Sequence, residues 1–189
     1  MEALLVSTGI VALAEIGDKT QLLALLLAAR FRRPWPIVWG ILAATIANHA
    51  LAAAVGQWLS NLVPPAGLHL VLALCFIAVA IWTLVPDKLD TEDAPPISRY
   101  GAFMATLVAF FLAEMGDKTQ VATVVLAAQF DAFVMVLIGT TIGMLLANVP
   151  VVFMGNAAAG RLPLGLIRAV AASAFLLMGL YAGWLAFSS

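Results

Sequence analysis

Six apolar runs, each long enough to cross a lipid bilayer, most constrain the fold of this chain. They cover residues 3–29, 35–59, 67–86, 101–129, 132–156 and 164–187. A helix needs roughly 20 apolar residues to span about 30 Å of hydrocarbon, and each run reaches that length. Hydrophobic residues make up 64% of the chain and charged residues 10%, which excludes an ordinary soluble domain. We therefore expect an all-α integral membrane protein with six transmembrane helices.

The second half of the chain repeats the first half at a constant offset of 99 residues. This offset aligns five pairs without a gap: Phe31 with Phe130, Gly40 with Gly139, Gly56 with Gly155, Pro64 with Pro163, and Phe76 with Phe175. The predicted units are a first three-helix repeat (1–86), a polar connecting loop (87–100) and a second three-helix repeat (101–189). Because three is an odd number of spans, the second repeat crosses the membrane in the opposite direction. The predicted fold is therefore two inverted three-helix repeats.

The distribution of lysine and arginine predicts the orientation. The basic residues outside the two octapeptides lie in or beside connections on one side of the membrane: Arg30, Arg32, Arg33, Lys88, Arg99, Arg161 and Arg168. The opposite connections and both termini contain none. By the positive-inside rule, the 87–100 loop is cytoplasmic and both termini are extracytoplasmic. We expect a multi-pass protein of the inner (plasma) membrane, without a cleaved signal peptide.

Every charge predicted at membrane depth belongs to one repeated octapeptide. Its copies are Ala-Glu-Ile-Gly-Asp-Lys-Thr-Gln at 14–21 and Ala-Glu-Met-Gly-Asp-Lys-Thr-Gln at 113–120. A charged side chain near the bilayer centre costs from a few to about ten kcal/mol, so charges kept there in both halves indicate a functional site. On a continuous helix, Glu15, Asp18 and Lys19 would share one face. Inverted symmetry would bring that face and its counterpart together.

The charges of the two octapeptides indicate a site for a divalent cation. Four carboxylates and two ammonium groups leave a net charge of about −2 before a ligand binds. The predicted ligands are oxygen atoms of Glu15, Asp18, Glu114, Asp117, Gln21 and Gln120. Oxygen ligands suit hard ions such as Mn2+, Ca2+ or Mg2+. The chain has one cysteine and two histidines, so copper and zinc fit less well. We expect no catalytic residue and no resident cofactor.

The glycines and lysines of the octapeptides each have two open interpretations. Gly17 and Gly116 either pack closely against another helix or break their helices and turn carbonyl groups toward an ion. Lys19 and Lys118 either balance the charge of the carboxylates or extend toward the membrane interface.

Five further polar residues at depth are candidates for lining the site. Thr20 and Thr119 either ligate the ion or bond to their own helix backbone. Asn48 and Asn148 are candidates for lining the ion path. His49, which aligns with Asn148, either relays protons or is a satisfied packing residue.

The doubled Glu-x-Gly-Asp-Lys-Thr motif in a short chain of 3+3 spans resembles one transporter family. This is the family of small cation/proton exchangers that contains the eukaryotic Golgi Ca2+/Mn2+ transporters and the bacterial MneA-type manganese exporters. The resemblance covers nearly the whole chain and implies Glu15, Asp18, Glu114 and Asp117 as ion ligands. It also implies Mn2+ export or Ca2+ exchange as the activity. The chain has no long acidic central loop of the eukaryotic type, which favours the compact bacterial form.

Three functions compete on these residues. The first is a proton-driven Mn2+ exporter, with Ca2+/H+ antiport as the alternative; no nucleotide-binding motif supports an ATP-driven pump. The second is an intramembrane aspartyl protease with Asp18 and Asp117 as its dyad. Such proteases are known for Gly-x-Gly-Asp, whereas Glu15 and Glu114 occupy the first glycine position here. The third, a non-transporting scaffold, leaves the charges at depth unexplained.

The expected partners follow from the same charges. Without a basic cluster there is no basis for nucleic-acid binding, which leaves a divalent ion, protons and the lipid bilayer, with an oligomer open. Four carboxylates held close together repel one another, so an emptied site recruits protons. Exchange of about two protons per divalent ion would leave the site neutral in both loaded forms.

Overall fold

The computed structural model of the protein describes residues 1–86, 101–154 and 164–188. In these residues the chain forms helices α1 (Glu2–Glu15), α2 (Lys19–Phe31), α3 (Pro34–Leu62), α4 (Pro65–Leu84), α5 (Ala102–Glu114), α6 (Lys118–Phe130), α7 (Phe133–Met154) and α8 (Leu164–Ser188). The described part of the chain contains no strand, so the all-α prediction is confirmed. The predicted connecting loop 87–100 and the aligned residues Gly155 and Pro163 lie outside the described residues.

Four of the described helices are long and apolar enough to cross a membrane. These candidate spans are Pro34–Leu62, Gly67–Leu84, Phe133–Met154 and Leu164–Ser188. They correspond to the apolar runs predicted at 35–59, 67–86, 132–156 and 164–187. Proline explains where two of these helices begin, since Pro34 and Pro65 lie in the first turns of α3 and α4. An N–H has no partner within the helix at that position, so its loss costs nothing.

The other two predicted runs, 3–29 and 101–129, are each divided into two short helices. Residues 16–18 separate α1 from α2, and residues 115–117 separate α5 from α6. α1 has 14 residues and the other three helices have 13 each. None of the four alone reaches the roughly 20 residues that a straight span requires. The interruptions fall inside the repeated octapeptide, at corresponding positions of the two halves.

The two halves of the chain pack crosswise. α3 contacts α5 and α6, α7 contacts α1 and α2, and α4 packs along α8. Glycine permits this close approach, because a Cβ atom at Gly40 would lie 2.8 Å from the carbonyl oxygen of Phe103. The related Gly139 would place one 2.7 Å from the carbonyl oxygen of Leu4. Both glycines are therefore helix-packing residues, and the 99-residue repeat extends from the sequence to the packing.

Two buried apolar clusters support the crosswise arrangement. Phe76 and Phe175, which the repeat relates, are fully buried between α4 and α8 with ring centroids 6.4 Å apart. A second cluster includes Phe110 and Met144 and joins α2, α3, α5 and α7. This second cluster therefore packs the short helices α2 and α5 against the long helices α3 and α7.

The outer surface of the helices is apolar and rich in tryptophan. All five tryptophans are at least 39% exposed: Trp35, Trp39, Trp58, Trp82 and Trp184. Exposed tryptophans are typical of the boundary between lipid and water. Together with the four long apolar helices, this surface identifies a membrane protein.

Candidate metal centre

Both octapeptides interrupt their helices at the glycine. α1 ends at Glu15, Gly17 takes a φ of +81°, and Asp18 occupies the N-cap position of α2. In the second half, α5 ends at Glu114 and Gly116 has a φ of +77°. Positive φ is accessible to glycine at no steric cost, which explains the residue at both positions. Of the two interpretations of these glycines, the helix break is therefore the observed one.

The interruption corrects one expectation about the octapeptide. Glu15, Asp18 and Lys19 were expected on one face of a continuous helix, and that expectation is wrong. Glu15 is the last residue of α1 and Lys19 is the first of α2, so the two side chains project from different helices. Their proximity depends on the turn between the helices rather than on the 3.6-residue period.

The glutamines of the octapeptides stabilise the turns. The side-chain oxygen of Gln21 accepts a hydrogen bond from the backbone N–H of Gly17 at 2.9 Å, and that of Gln120 accepts one from Gly116 at 2.7 Å. A broken helix leaves backbone donors without partners, and these amides satisfy one in each half. The oxygens predicted as ion ligands thus have a structural partner here, and ligation by them stays a prediction.

Three carboxylates meet between the two breaks. Glu15, Glu114 and Asp117 each offer an oxygen, and these atoms all lie within 4.8 Å of one another. Their residues are only 0%, 0% and 2% exposed. Carboxylates this close and this buried repel one another and lose hydration. A bound cation would offset both effects.

The two lysines form ion pairs that cross between the halves. Lys118 Nζ lies 2.7 Å from Asp18 Oδ1, and both side chains are buried. Lys19 Nζ lies 3.4 Å from Asp117 Oδ1, and the Lys19 side chain is 25% exposed. The lysines therefore balance carboxylate charge, which was one of their two interpretations. The second pair is looser and closer to the surface than the first.

Both threonine hydroxyls donate to the same carboxylate. Thr20 Oγ1 donates to Glu15 Oε2 at 2.6 Å, and Thr119 Oγ1 donates to Glu15 Oε1. The hydroxyls therefore bond across the helix ends rather than to their own backbone. Neither oxygen of Glu114 accepts a hydrogen bond from any described residue, although the side chain is fully buried. Glu114 is thus the carboxylate that most needs a ligand or proton to offset its burial.

Three predicted site-lining residues of α3 and α7, namely Asn48, His49 and Asn148, are fully buried. Asn48 Nδ2 donates to the carbonyl of Phe111 at 2.9 Å, which joins α3 to the last turn of α5. Asn148 Nδ2 donates to the carbonyl of Met144 in its own helix. Neither ring nitrogen of His49 has a hydrogen-bond partner among the described residues, and both interpretations of this residue stay predictions.

One residue near the site carries no signal in the sequence. The side chain of Leu164, at the start of α8, covers the first break, because a Cβ atom at Gly17 would lie 2.7 Å from its Cδ2. No described atom lies within 4 Å of the same position at Gly116. A leucine in an apolar run has no feature that would single it out, so only the tertiary structure reveals this contact.

Comparison with known proteins identifies the family. The family model of the divalent cation/proton antiporter GDT1 matches residues 3–91 and 102–189. A protein of Vibrio cholerae serotype O1, whose name proposes manganese export, is 56% identical over 181 residues, covering 95% of this chain and 90% of the relative. A GDT1-like protein of Synechocystis is 27% identical over 195 residues, covering 93% of both chains.

A more distant relative and the solved structures complete the comparison. GDT1-like protein 4 of rice is 26% identical over 200 residues, covering 93% of this chain and 70% of the relative. No solved structure matches the chain significantly. The match to the family model extends over both halves, including both octapeptides and the carboxylates they bring together. The chain therefore belongs to the GDT1 family of divalent cation/proton antiporters.

Proposed function

We propose that this protein exports Mn2+ across the cytoplasmic membrane in exchange for protons. The observation that carries the proposal is the buried group of Glu15, Glu114 and Asp117, whose oxygens lie within 4.8 Å of one another. Carboxylate oxygen suits Mn2+, Ca2+ and Mg2+ better than softer metals. The name of the Vibrio relative favours manganese among these ions. Ca2+/H+ antiport is the alternative within the same family.

The charges around the carboxylates support coupling to protons. Two glutamates and two aspartates against two lysines leave a net charge of about −2, which one divalent ion neutralises. When the ion leaves, the same carboxylates remain buried and repel one another, so protons are the available replacement. Family membership places the protein among transporters rather than enzymes, which argues against the aspartyl protease.

We also propose six membrane spans in two inverted repeats. α1 with α2 forms one interrupted span and α5 with α6 another, in addition to the four long helices. Interrupted helices occur at membrane depth where the break lines a cavity or is buried in protein. Three spans in each half then require opposite orientations, the arrangement found in many secondary transporters.

Flux in proteoliposomes tests the proposed activity. The purified protein is reconstituted with Mn2+ on one side, an imposed pH gradient, and the voltage clamped by an ionophore. We expect Mn2+ to move against protons at a rate that rises with the gradient, with about two protons per ion. Protein-free liposomes are the control, and Ca2+ and Mg2+ are offered separately. Mn2+ flux indifferent to the gradient would indicate a passive pathway, and Ca2+ flux alone would favour the alternative substrate.

Cysteine labelling in intact cells tests the proposed orientation. In a variant whose Cys75 is replaced by serine, new cysteines are placed at Glu2, at Asn61 and at Arg33. The positive-inside rule predicts that an impermeant maleimide labels the first two positions and reaches Arg33→Cys only after permeabilisation. The reverse pattern would overturn the assignment of both termini to the extracytoplasmic side.

A further inference from the structure

The two halves of the metal centre have nearly the same sequence but different contacts. Both threonine hydroxyls bond to Glu15, and none of the described residues donates to Glu114. Lys118 lies 2.7 Å from Asp18, whereas Lys19 lies 3.4 Å from Asp117. Two octapeptides that differ only at Ile16 and Met115 cannot themselves cause this difference. The difference therefore comes from the conformation of the protein, in which the two halves make different contacts.

The surroundings of the two breaks also differ, and the break with the shorter ion pair is the more covered one. Leu164 covers the break at Gly17, and the lysine paired there, Lys118, is only 3% exposed. The break at Gly116 has no described atom over it, its neighbour Met115 is 54% exposed, and Lys19 is 25% exposed. Among the described residues, the first break is therefore covered and is called the closed break, and the second is uncovered and is called the open break.

The set of ion ligands follows this asymmetry. The carboxylates whose oxygens come together are Glu15, Glu114 and Asp117, and Asp117 belongs to the open break. Asp18, at the closed break, is not part of that group among the described residues and forms the shorter ion pair with Lys118. The ammonium group thus takes the place of an ion at the aspartate of the closed side.

We propose that three carboxylates bind the ion at any one time, both glutamates always and the two aspartates in turn. The aspartate that is not a ligand forms an ion pair with the lysine of the opposite half. The proposal rests on the proposed function, and it adds a role for each charged residue of the octapeptide. In the exchanged state, Glu15, Glu114 and Asp18 hold the ion, Lys19 closes on Asp117, and the threonine hydroxyls turn to Glu114. The repeat makes this state available, because each contact has a counterpart at an offset of 99 residues.

Charge supports a three-ligand site over a four-ligand site. The pair of Lys118 and Asp18 is neutral as a unit, and three carboxylates with Lys19 carry about −2, which one divalent ion neutralises. A fourth carboxylate would bind the ion more tightly in both states and slow its release, whereas transport requires binding weak enough for the ion to leave. The lysines thus act as positioning residues that keep the fourth ligand away.

Binding and transport measured on the same variants test the alternation. Mn2+ binding to detergent-solubilised protein is measured by calorimetry, and flux is measured in proteoliposomes. The variants are Asp117→Asn, the double variant Asp18→Asn/Lys118→Gln, Glu15→Gln and Glu114→Gln. The double variant avoids leaving the buried Lys118 ammonium without Asp18. Asp117→Asn needs no such change, because Lys19 is 25% exposed and can reach water. Asp131→Asn, at an exposed carboxylate outside the site, is the matched control.

The aspartate variants and the glutamate variants should differ in their affinity for Mn2+. We expect Asp117→Asn and the double variant to bind Mn2+ within about tenfold of the native affinity, because each keeps one complete three-carboxylate set. Their flux should fall to background, since only one of the two states can hold the ion. The glutamate variants should lose binding by about 100-fold or more, because each glutamate belongs to both sets.

Two outcomes would overturn the alternation while leaving the proposed function standing. One is loss of binding in the aspartate variants as large as that in the glutamate variants, which would mean four simultaneous ligands. The other is native flux in either aspartate variant. Absence of Mn2+ binding and flux in the native protein would instead overturn the proposed function itself. The unfolding temperature of each variant in detergent identifies any loss that comes from misfolding.

Discussion

Replacement of Glu15 or Glu114 by glutamine should reduce Mn2+ transport to the level of protein-free liposomes. Both side chains are fully buried, and both contribute an oxygen to the group of carboxylates that lie within 4.8 Å of one another. Glutamine keeps the shape of the side chain but removes one negative charge from a site that carries about −2, so a divalent cation loses much of its electrostatic stabilisation. The measurement is initial Mn2+ flux in proteoliposomes at equal protein content.

Glu2→Gln is the matched control for this pair. Glu2 is an exposed glutamate in the first turn of α1, so the same change of charge there should leave flux unchanged. Asp18→Asn and Asp117→Asn should also lose transport, because each aspartate is needed in one of the two states. Full Mn2+ transport by both aspartate variants would contradict any site shared between the halves.

Valine in place of Gly17 or Gly116 should also abolish transport. The two glycines have φ angles of +81° and +77°, and a β-branched residue at positive φ is strongly disfavoured. The chain would relieve strain of about 1–3 kcal/mol by straightening the break, which would move the carboxylates apart. Flux and the unfolding temperature in detergent measure the effect. Gly9→Val, at a helical position with no described atom within 4 Å of its Cβ site, is the control.

Asparagine at the two glycines should distinguish strain from crowding. Asparagine tolerates positive φ better than other residues with a Cβ atom. Gly116→Asn has no described atom within 4 Å of its Cβ position and should keep measurable flux. Gly17→Asn would bring its Cβ atom to 2.7 Å from Leu164 and should lose more activity. Equal loss at the two positions would show that Leu164 does not close the first break.

The sequence by itself determined where the helices and the charges lie. Hydropathy depends on residues that are adjacent in the chain, so four long helices were predicted to within a few residues, for example α3 at 35–59 against Pro34–Leu62. The offset of 99 residues and the doubled octapeptide were visible without any structure, and they led to the family that the comparison confirms. The same residues supplied the candidate carboxylates, because charge at membrane depth is rare enough to indicate function.

The sequence left open whether the helix backbone breaks at the two glycines. Glycine permits both a close helix contact and a turn, and the choice depends on partners that are distant in the chain. Gln21 supplies such a partner by accepting the N–H of Gly17, and its own amide is held by the carbonyl of Ala147 in α7. Of the two interpretations left open, the break is the observed one, and the expected common face of Glu15 and Lys19 is therefore wrong.

Only the tertiary structure decided how the contacts of two nearly identical octapeptides differ. Their sequences give no reason for Lys118 to approach Asp18 more closely than Lys19 approaches Asp117, or for both threonine hydroxyls to choose Glu15. The surroundings of the two octapeptides differ as well, since Leu164 covers the break at Gly17. Local sequence determines which groups are present, whereas their unequal environments arise from the packing of the halves, because burial and pairing are set by neighbours distant in the chain.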